Sequence, residues 1–235
     1  MKLLYYYDDD WSEMKDHFEQ SFKDTWDTVV INTTQIDPNS KLLTADSKVT
    51  PTSDRSQTGG GMGSWLTKVN LIIDQVQDGF TNEIVTVADT DIVFYKPVQP
   101  LINNCMKHVD MCFQKENWVT HPRKLVNIGF ISMRCNLHVL QFWERVREVI
   151  QQKREWDQQV VNTLLQQGWP VKWGHFPPSV FCKTQQMVPR DLVLHHANAA
   201  KTMQQKMDQF REVRATWRRR WYGAAQPHKQ PQAIV

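Results

Sequence analysis

The sequence is short of the features that define several large protein classes. Only 4 of its 235 residues are cysteine, Cys105, Cys112, Cys135 and Cys182. They form no CxxC pair and no Cys/His ligand spacing, which argues against a zinc ribbon or a disulfide scaffold and leaves buried, reduced thiols as the expectation. No apolar run approaches the roughly 18 residues that would span a bilayer. The opening Met1-Lys2-Leu3-Leu4-Tyr5-Tyr6-Tyr7-Asp8-Asp9-Asp10 has one base, a very short apolar run and three acids, unlike a signal or transit peptide. A cytoplasmic protein is therefore expected. No internal repeat occurs, and with 9 Gly and 11 Pro neither a collagen-like nor a low-complexity chain is in view. The one glycine cluster, Gly59-Gly60-Gly61-Met62-Gly63, lacks the Gly-Lys-Ser/Thr ending of a phosphate-binding P-loop.

What remains is an ordinary globular composition, 40% apolar and 23% charged, long enough for one large domain. The net charge of +3 is unevenly spread. Residues 201–235 hold eight bases against two acids, so the first 200 residues are slightly acidic. The body of the protein thus has no basic bias suited to a duplex, and nucleic acid is not an expected partner. The C-terminal segment is different in kind. Met203, Met207, Phe210, Val213 and Trp217 form an apolar stripe ringed at its far end by Arg211, Arg214, Arg218, Arg219 and Arg220. Such a helix suits packing on its own domain, peripheral contact with an anionic membrane, or a non-catalytic binding role toward nucleic acid or a membrane.

Periodicity supplies the fold class. Leu3–Tyr7 reads as a strand, Trp11, Met14, Phe18, Phe22 and Trp26 recur at helical spacing, and Val29-Val30-Ile31 is β-branched. This is a βαβ unit, which implies parallel strands with ligands near their carboxyl ends. From Asn32 to Gly63 the pattern disappears, and a long surface loop serving as a mobile lid is expected there. Trp65, Val69, Ile72, Ile73 and Val76 mark a helix, and Ile84–Ala88 is a strand apolar on both faces. Further strands are expected at 92–95, 111–113, 128–133 and 192–194, and helices at 137–151, 157–167 and 200–221. The interleaving predicts an α/β fold, one domain over residues 1–222 and a frayed tail over 223–235.

The chemistry concentrates at Val87-Ala88-Asp89-Thr90-Asp91-Ile92-Val93-Phe94. Two carboxylates emerge side by side from a buried strand, where leaving them without a cationic partner would cost several kcal/mol. Hard oxygen ligands suit Mg²⁺ or Mn²⁺, which take their remaining ligands from water and phosphates. An isolated D-x-D triplet is usually a solvated turn; the apolar strand before this one favours a metal site.

The segment resembles the D-x-D motif of GT-A fold glycosyltransferases of the nucleotide-diphospho-sugar transferase group, and three further segments follow in that family's order. Val126-Asn127-Ile128-Gly129-Phe130 resembles its N-x-G strand. Trp156-Asp157-Gln158-Gln159-Val160-Val161-Asn162 resembles its D-Q-x-x-x-N helix start. Leu192–Asn198, with Lys201 and Lys206 after it, resembles its closing strand, His, Asn and Lys segment. The resemblance spans residues 65 to about 210. It implies a GT-A type, Rossmann-like, mixed and mostly parallel sheet flanked by helices, and a metal-dependent enzyme using Mn²⁺ or Mg²⁺. The reaction implied is transfer of a sugar from a nucleoside-diphosphate sugar to an acceptor hydroxyl on a glycan, protein or lipid, with retention favoured.

Roles follow from the resemblance. Asp89, Asp91 and His196 would bind the metal, Asp89 also meeting the nucleotide. His195 competes with His196, since strand alternation sends the two rings to opposite faces; the His-Ala-Asn tripeptide favours His196. Either Lys206 or Lys201 would meet the diphosphate, Lys206 being favoured, and both carry the alternative of a solvated helix lysine. Lys68 would touch the donor, though an amphipathic helix would place a lysine on its wet face anyway. Tyr6, or its neighbours Tyr5 and Tyr7, would stack on the nucleobase, with core packing as the alternative. Thr90 and Gln158 would line the donor site. Asn127 and Asp157 would lie at the sugar as the catalytic pair, Asp157 having a helix cap as its other reading.

Overall fold

The structure, a computed structural model, describes residues 1–35, 62–79, 82–116, 126–182 and 187–222. The lid expected between Asn32 and Gly63 and the tail from Gly223 onward lie largely outside the described residues. Gly63 itself belongs to a helix.

The chain opens with β1 (Lys2–Tyr7), α1 (Ser12–Gln20) and β2 (Asp27–Asn32), then continues through α2 (Met62–Asp78), β3 (Ile84–Ala88), β4 (Ile92–Phe94) and α3 (Gln99–Cys105). It proceeds through β5 (Met111–Lys115), β6 (Val126–Arg134), α4 (Leu137–Lys153) and α5 (Asp157–Gln166). It closes with β7 (Trp173–His175), β8 (Val180–Cys182), β9 (Leu194–His196) and α6 (Met203–Tyr222). Six strands form one sheet in the order β2-β1-β3-β6-β5-β7, and β4-β9-β8 form a second, smaller one. In the large sheet β6 runs against both its neighbours while the pairs β1–β2, β1–β3 and β5–β7 are parallel. Five strands therefore share one direction, and the sheet is mixed and mostly parallel.

Burial on both faces explains the apolar strands. Leu4, Val85, Val87, Met111, Phe113, Ile131 and Met133 meet α2, α4 and α5 on one side. Leu3, Tyr5, Ala88, Cys112 and Phe130 meet α1 and α3 on the other. The alternation along each strand sends successive side chains to opposite cores. The opening βαβ unit is present, with β1 and β2 parallel from Lys2↔Asp27 to Tyr7↔Asn32.

Several local expectations change. The first helix stops at Gln20, because Ser21 hydrogen-bonds back to Phe18 O (2.7 Å) and receives the N–H of Phe94 (3.0 Å), which turns the chain out of the helix. Phe22 still packs on the core from the connection. The last strand lies at Leu194–His196 rather than 192–194, so both histidines are in it. The last helix starts at Met203 because Thr202 and Gln205 cap each other: Gln205 N donates to Thr202 Oγ1 and Thr202 N to Gln205 Oε1. The helix α3 and the strands β7 and β8 were not legible in the pattern.

Candidate functional site

Asp89 and Asp91 sit where the chain leaves the large sheet for the small one. Asp89 N donates to Gly129 O (2.8 Å), tying the motif to β6, and Ala197 N donates to Asp91 O (2.9 Å), tying it to β9. In the small sheet Ile92 pairs with His196. Residues far apart in sequence are thereby brought to one point: one ligand atom from each of Asp89, Asp91 and His196 lies within 4.8 Å of the others.

The imidazole is held from its other side. Gln114 Nε2 donates to Val180 O (3.4 Å), an acceptor only, so Gln114 presents Oε1 to His196 Nδ1 at 2.8 Å. The ring then turns Nε2 toward Asp91 Oδ1, 3.2 Å away, and Asp89 Oδ2, 3.9 Å away. Two carboxylates and an imidazole with a hydrogen-bonded second nitrogen form a donor set suited to a divalent metal.

Two lysines complete the electrostatics. Lys68 Nζ, buried, donates to Asp89 Oδ1 (2.8 Å) and Ile128 O (2.9 Å). Burial alone would lower its pKa, but the Asp89 carboxylate overrides this and holds it well above the usual lysine range. The wet-face alternative for Lys68 is thus set aside. Lys206 Nζ pairs with the Asp91 carboxylate, donates to Ala197 O (3.1 Å) and lies 5.7 Å from the centre of the Trp11 ring. Burial would raise the Asp91 pKa; Lys206 and His196 drive it far below the carboxylate range instead. Lys201 is exposed, and its backbone N–H donates to Gln205 Oε1. Lys206, not Lys201, reaches the carboxylates. Likewise His195 is turned away, packed between Phe181 and Phe210.

Thr90 is buried between the two aspartates. Tyr5 is a core residue whose hydroxyl donates to Glu19, whereas Tyr6 is half-buried and near enough to Lys68 to influence its charge. Asp157 opens α5 without capping it: its carboxylate accepts the next N–H, from Gln158, at 2.8 Å. Burial pushes the Asp157 pKa up to about 6, against the pull of Lys68. Asn127 and Gln158 are turned inward, each donating to Glu116 Oε2, at 2.9 and 3.2 Å. Asn162 of the same helix binds both the N–H and the C=O of Val126, standing in for a neighbouring strand.

Three residues were not singled out by sequence reasoning. Gln114 holds the His196 ring through Nδ1, and Glu116 collects the amides of the site. Gly129 gives room: a Cβ there would overlap His196 Cε1 and lie 2.7 Å from His196 Nδ1 and 2.9 Å from Asp89 Oδ2. Of these, only Gly129 had a signal, its place in the N-x-G segment.

The apolar stripe of α6 is used internally. Phe210 and Val213 are buried, Met203, Met207 and Trp217 pack beside them, and Arg211, Arg214, Arg218, Arg219 and Arg220 are exposed. No helix among the described residues is long and apolar enough to cross a membrane.

Comparison with known proteins agrees with this geometry. The model of a family described as nucleotide-diphospho-sugar transferase matches residues 41–210. No curated protein matches the chain. Among solved structures, a glycosyltransferase involved in glycosylation of the major capsid of PBCV-1 is similar with a TM-score of 0.61 and 10% identity, over 89% of this chain and 98% of that one. The galactosyltransferase LgtC, in complex with donor and acceptor sugar analogs, is similar at 0.54 and 11%, over 92% and 95%. Mouse xyloside xylosyltransferase 1 is similar at 0.52 and 9%, over 86% and 100%. At these identities the likeness is one of fold, the GT-A type with its mixed, mostly parallel sheet.

Proposed function

The chain belongs to the nucleotide-diphospho-sugar transferase family, and on that premise we propose that it is a metal-dependent glycosyltransferase moving a sugar from a nucleoside-diphosphate sugar to an acceptor hydroxyl, with retention of configuration. The observation that carries the reading is the convergence of Asp89, Asp91 and His196 within 4.8 Å. These three would hold Mn²⁺ or Mg²⁺, the imidazole favouring Mn²⁺. Bound there, the ion supplies positive charge for the departing diphosphate.

The chain's own residues do the rest. Lys206 neutralises phosphate charge beside Asp91, and Lys68 steadies Asp89 from beneath. Tyr6, Thr90 and Gln158 line the donor site. Asp157, beside Lys68 in charge if not in contact, faces the sugar. Asn127 lies at the sugar; one of its N–H groups and its carbonyl meet Glu116 and Gly129, and its second N–H would serve a sugar hydroxyl. The D-Q opening of α5 supports retention. The catalytic unit is a single domain over residues 1–222, cytoplasmic. The exposed arginines of α6 support peripheral contact with an anionic membrane that presents the acceptor. The non-catalytic alternative is less favoured, because the helix spends its apolar face on its own domain.

A thermal-shift screen of UDP-, GDP-, ADP- and CMP-sugars with and without Mn²⁺ tests the reading, since a ligand that binds the native state raises its melting point. One nucleotide class should stabilise the protein, and more strongly with the metal. No metal-dependent shift with any donor would overturn the proposal.

A further inference from the structure

We propose that Glu116 is a positioning residue of this site, holding a bulge in β6 in the shape that lets Gly129, Asp89 and His196 meet. The role starts from an interruption of the sheet. Between β5 and β6 the register runs Phe113↔Ile131 and then Gln114↔Asn127, so one step along β5 spans four along β6. Among the described residues, Ile128, Gly129 and Phe130 have no ladder partner on that side. A bulge of this kind re-aims a strand, and its freed backbone groups must be satisfied in another way.

Side chains replace the missing strand. Gly129 N donates to Asn127 Oδ1 (2.8 Å) and Ile128 N to Gln158 Oε1 (3.4 Å). An amide turns its oxygen to the bulge only if its NH₂ group finds an acceptor behind it. Glu116 Oε2 accepts both, from Asn127 Nδ2 at 2.9 Å and Gln158 Nε2 at 3.2 Å, while Oε1 has a longer 3.5 Å contact with Asn198 Nδ2. One buried carboxylate thus orients two amides and touches the loop that follows His196. The bulge it shapes serves the site three times: Gly129 O receives Asp89 N, Ile128 O receives Lys68 Nζ, and the bare Cα of Gly129 admits the His196 ring.

The test uses Glu116→Gln alone and combined with Asn127→Asp. The single change sets an NH₂ group against amide donors; the pair exchanges charge and amide across the hydrogen bond to residue 127, so that Gly129 N keeps its acceptor, while Gln158 Nε2 still faces a donor. Two readouts are taken, amide hydrogen exchange of Ile128 and Gly129, and kcat and KM for the donor. The kinetic readout rests on the sugar-transfer reading; the exchange readout does not. Glu116→Gln is expected to speed exchange at Ile128 and Gly129 at least about tenfold, leaving Ile131 to Arg134 unchanged, and to lower kcat more than it raises KM. The pair is expected to recover slow exchange at Gly129. Unchanged exchange in Glu116→Gln, or exchange at Gly129 as fast in the pair as in the single variant, would overturn the positioning role. Should the single variant fail to fold, the pair decides: fast exchange at Gly129 in the folded pair overturns it. Absence of transfer by the unmodified protein would count against the enzymatic reading, and the exchange result would still judge Glu116.

Discussion

His196 Nε2 lies 3.2 Å from Asp91 Oδ1, while Nδ1 of the same ring is held 2.8 Å from Gln114 Oε1. The ring is thereby aimed at the carboxylate pair, where a divalent cation would take ligands from Asp89, Asp91 and His196 together. Mn²⁺ at 100 times its dissociation constant should therefore stabilise the protein by about 2.7 kcal/mol. His196→Ala and Asp91→Ala should each abolish most of that shift, and His195→Ala should leave it intact. Melting curves with graded Mn²⁺ check this.

Lys206 and Lys201 separate cleanly. Lys206 meets Asp91 and Ala197 O, and Lys201 points to solvent. Lys206→Ala should lower transfer by about 100-fold or more, the scale of losing one charge-stabilising donor. Lys201→Ala should stay within about twofold of the unmodified protein. Steady-state kinetics on the two variants checks the contrast.

Gly129→Ala tests the close approach directly. The added methyl would meet His196 and Asp89, and overpacking of this sort costs about 1–3 kcal/mol. The expected outcome is a protein that folds, binds Mn²⁺ more weakly and shows reduced turnover. Titration calorimetry with Mn²⁺ measures it.

The Asp157 carboxyl sets a pH dependence. Its pKa is raised from 3.8 to about 6 in the folded state, chiefly by burial. The folded protein then binds the proton more tightly than the unfolded chain, so this contribution is complete below about pH 4 and lost as pH rises through 6. The elevation corresponds to about 3 kcal/mol. Asp157→Asn should flatten the fall in stability between pH 4 and 7. Chemical denaturation of both proteins, free of metal, across that interval gives the comparison.

These particulars show how far the sequence could be read. Ile84–Ala88 was legible because a strand buried on both faces is apolar without alternation, and Asp89 and Asp91 stood out against it. His196 needed only the alternation of a strand and the His-Ala-Asn likeness. The short elements were hidden. The α3 helix spans only 7 residues and has a proline in its first turn, and β7 and β8 are 3 residues each, too short to show a period. Lys68 was placed at the donor by family likeness alone, with a wet helix face as its alternative, because nothing local to α2 reveals that Asp89 and Ile128 O await it. Glu116 and Gln114 had no local signature at all. Their meaning depends on a bulge between two strands and on side chains from α5 and β9, relations that exist only after folding.

If Asp91 belongs to a metal site serving sugar transfer, release of nucleoside diphosphate from the stabilising sugar nucleotide depends on both, and it is measured with Mn²⁺ and after its removal by chelation, for the unmodified protein and Asp91→Asn. The expected result is release with Mn²⁺ that falls at least about 100-fold both on chelation and in Asp91→Asn. Equal release by the two proteins, or release indifferent to the metal, would contradict the account.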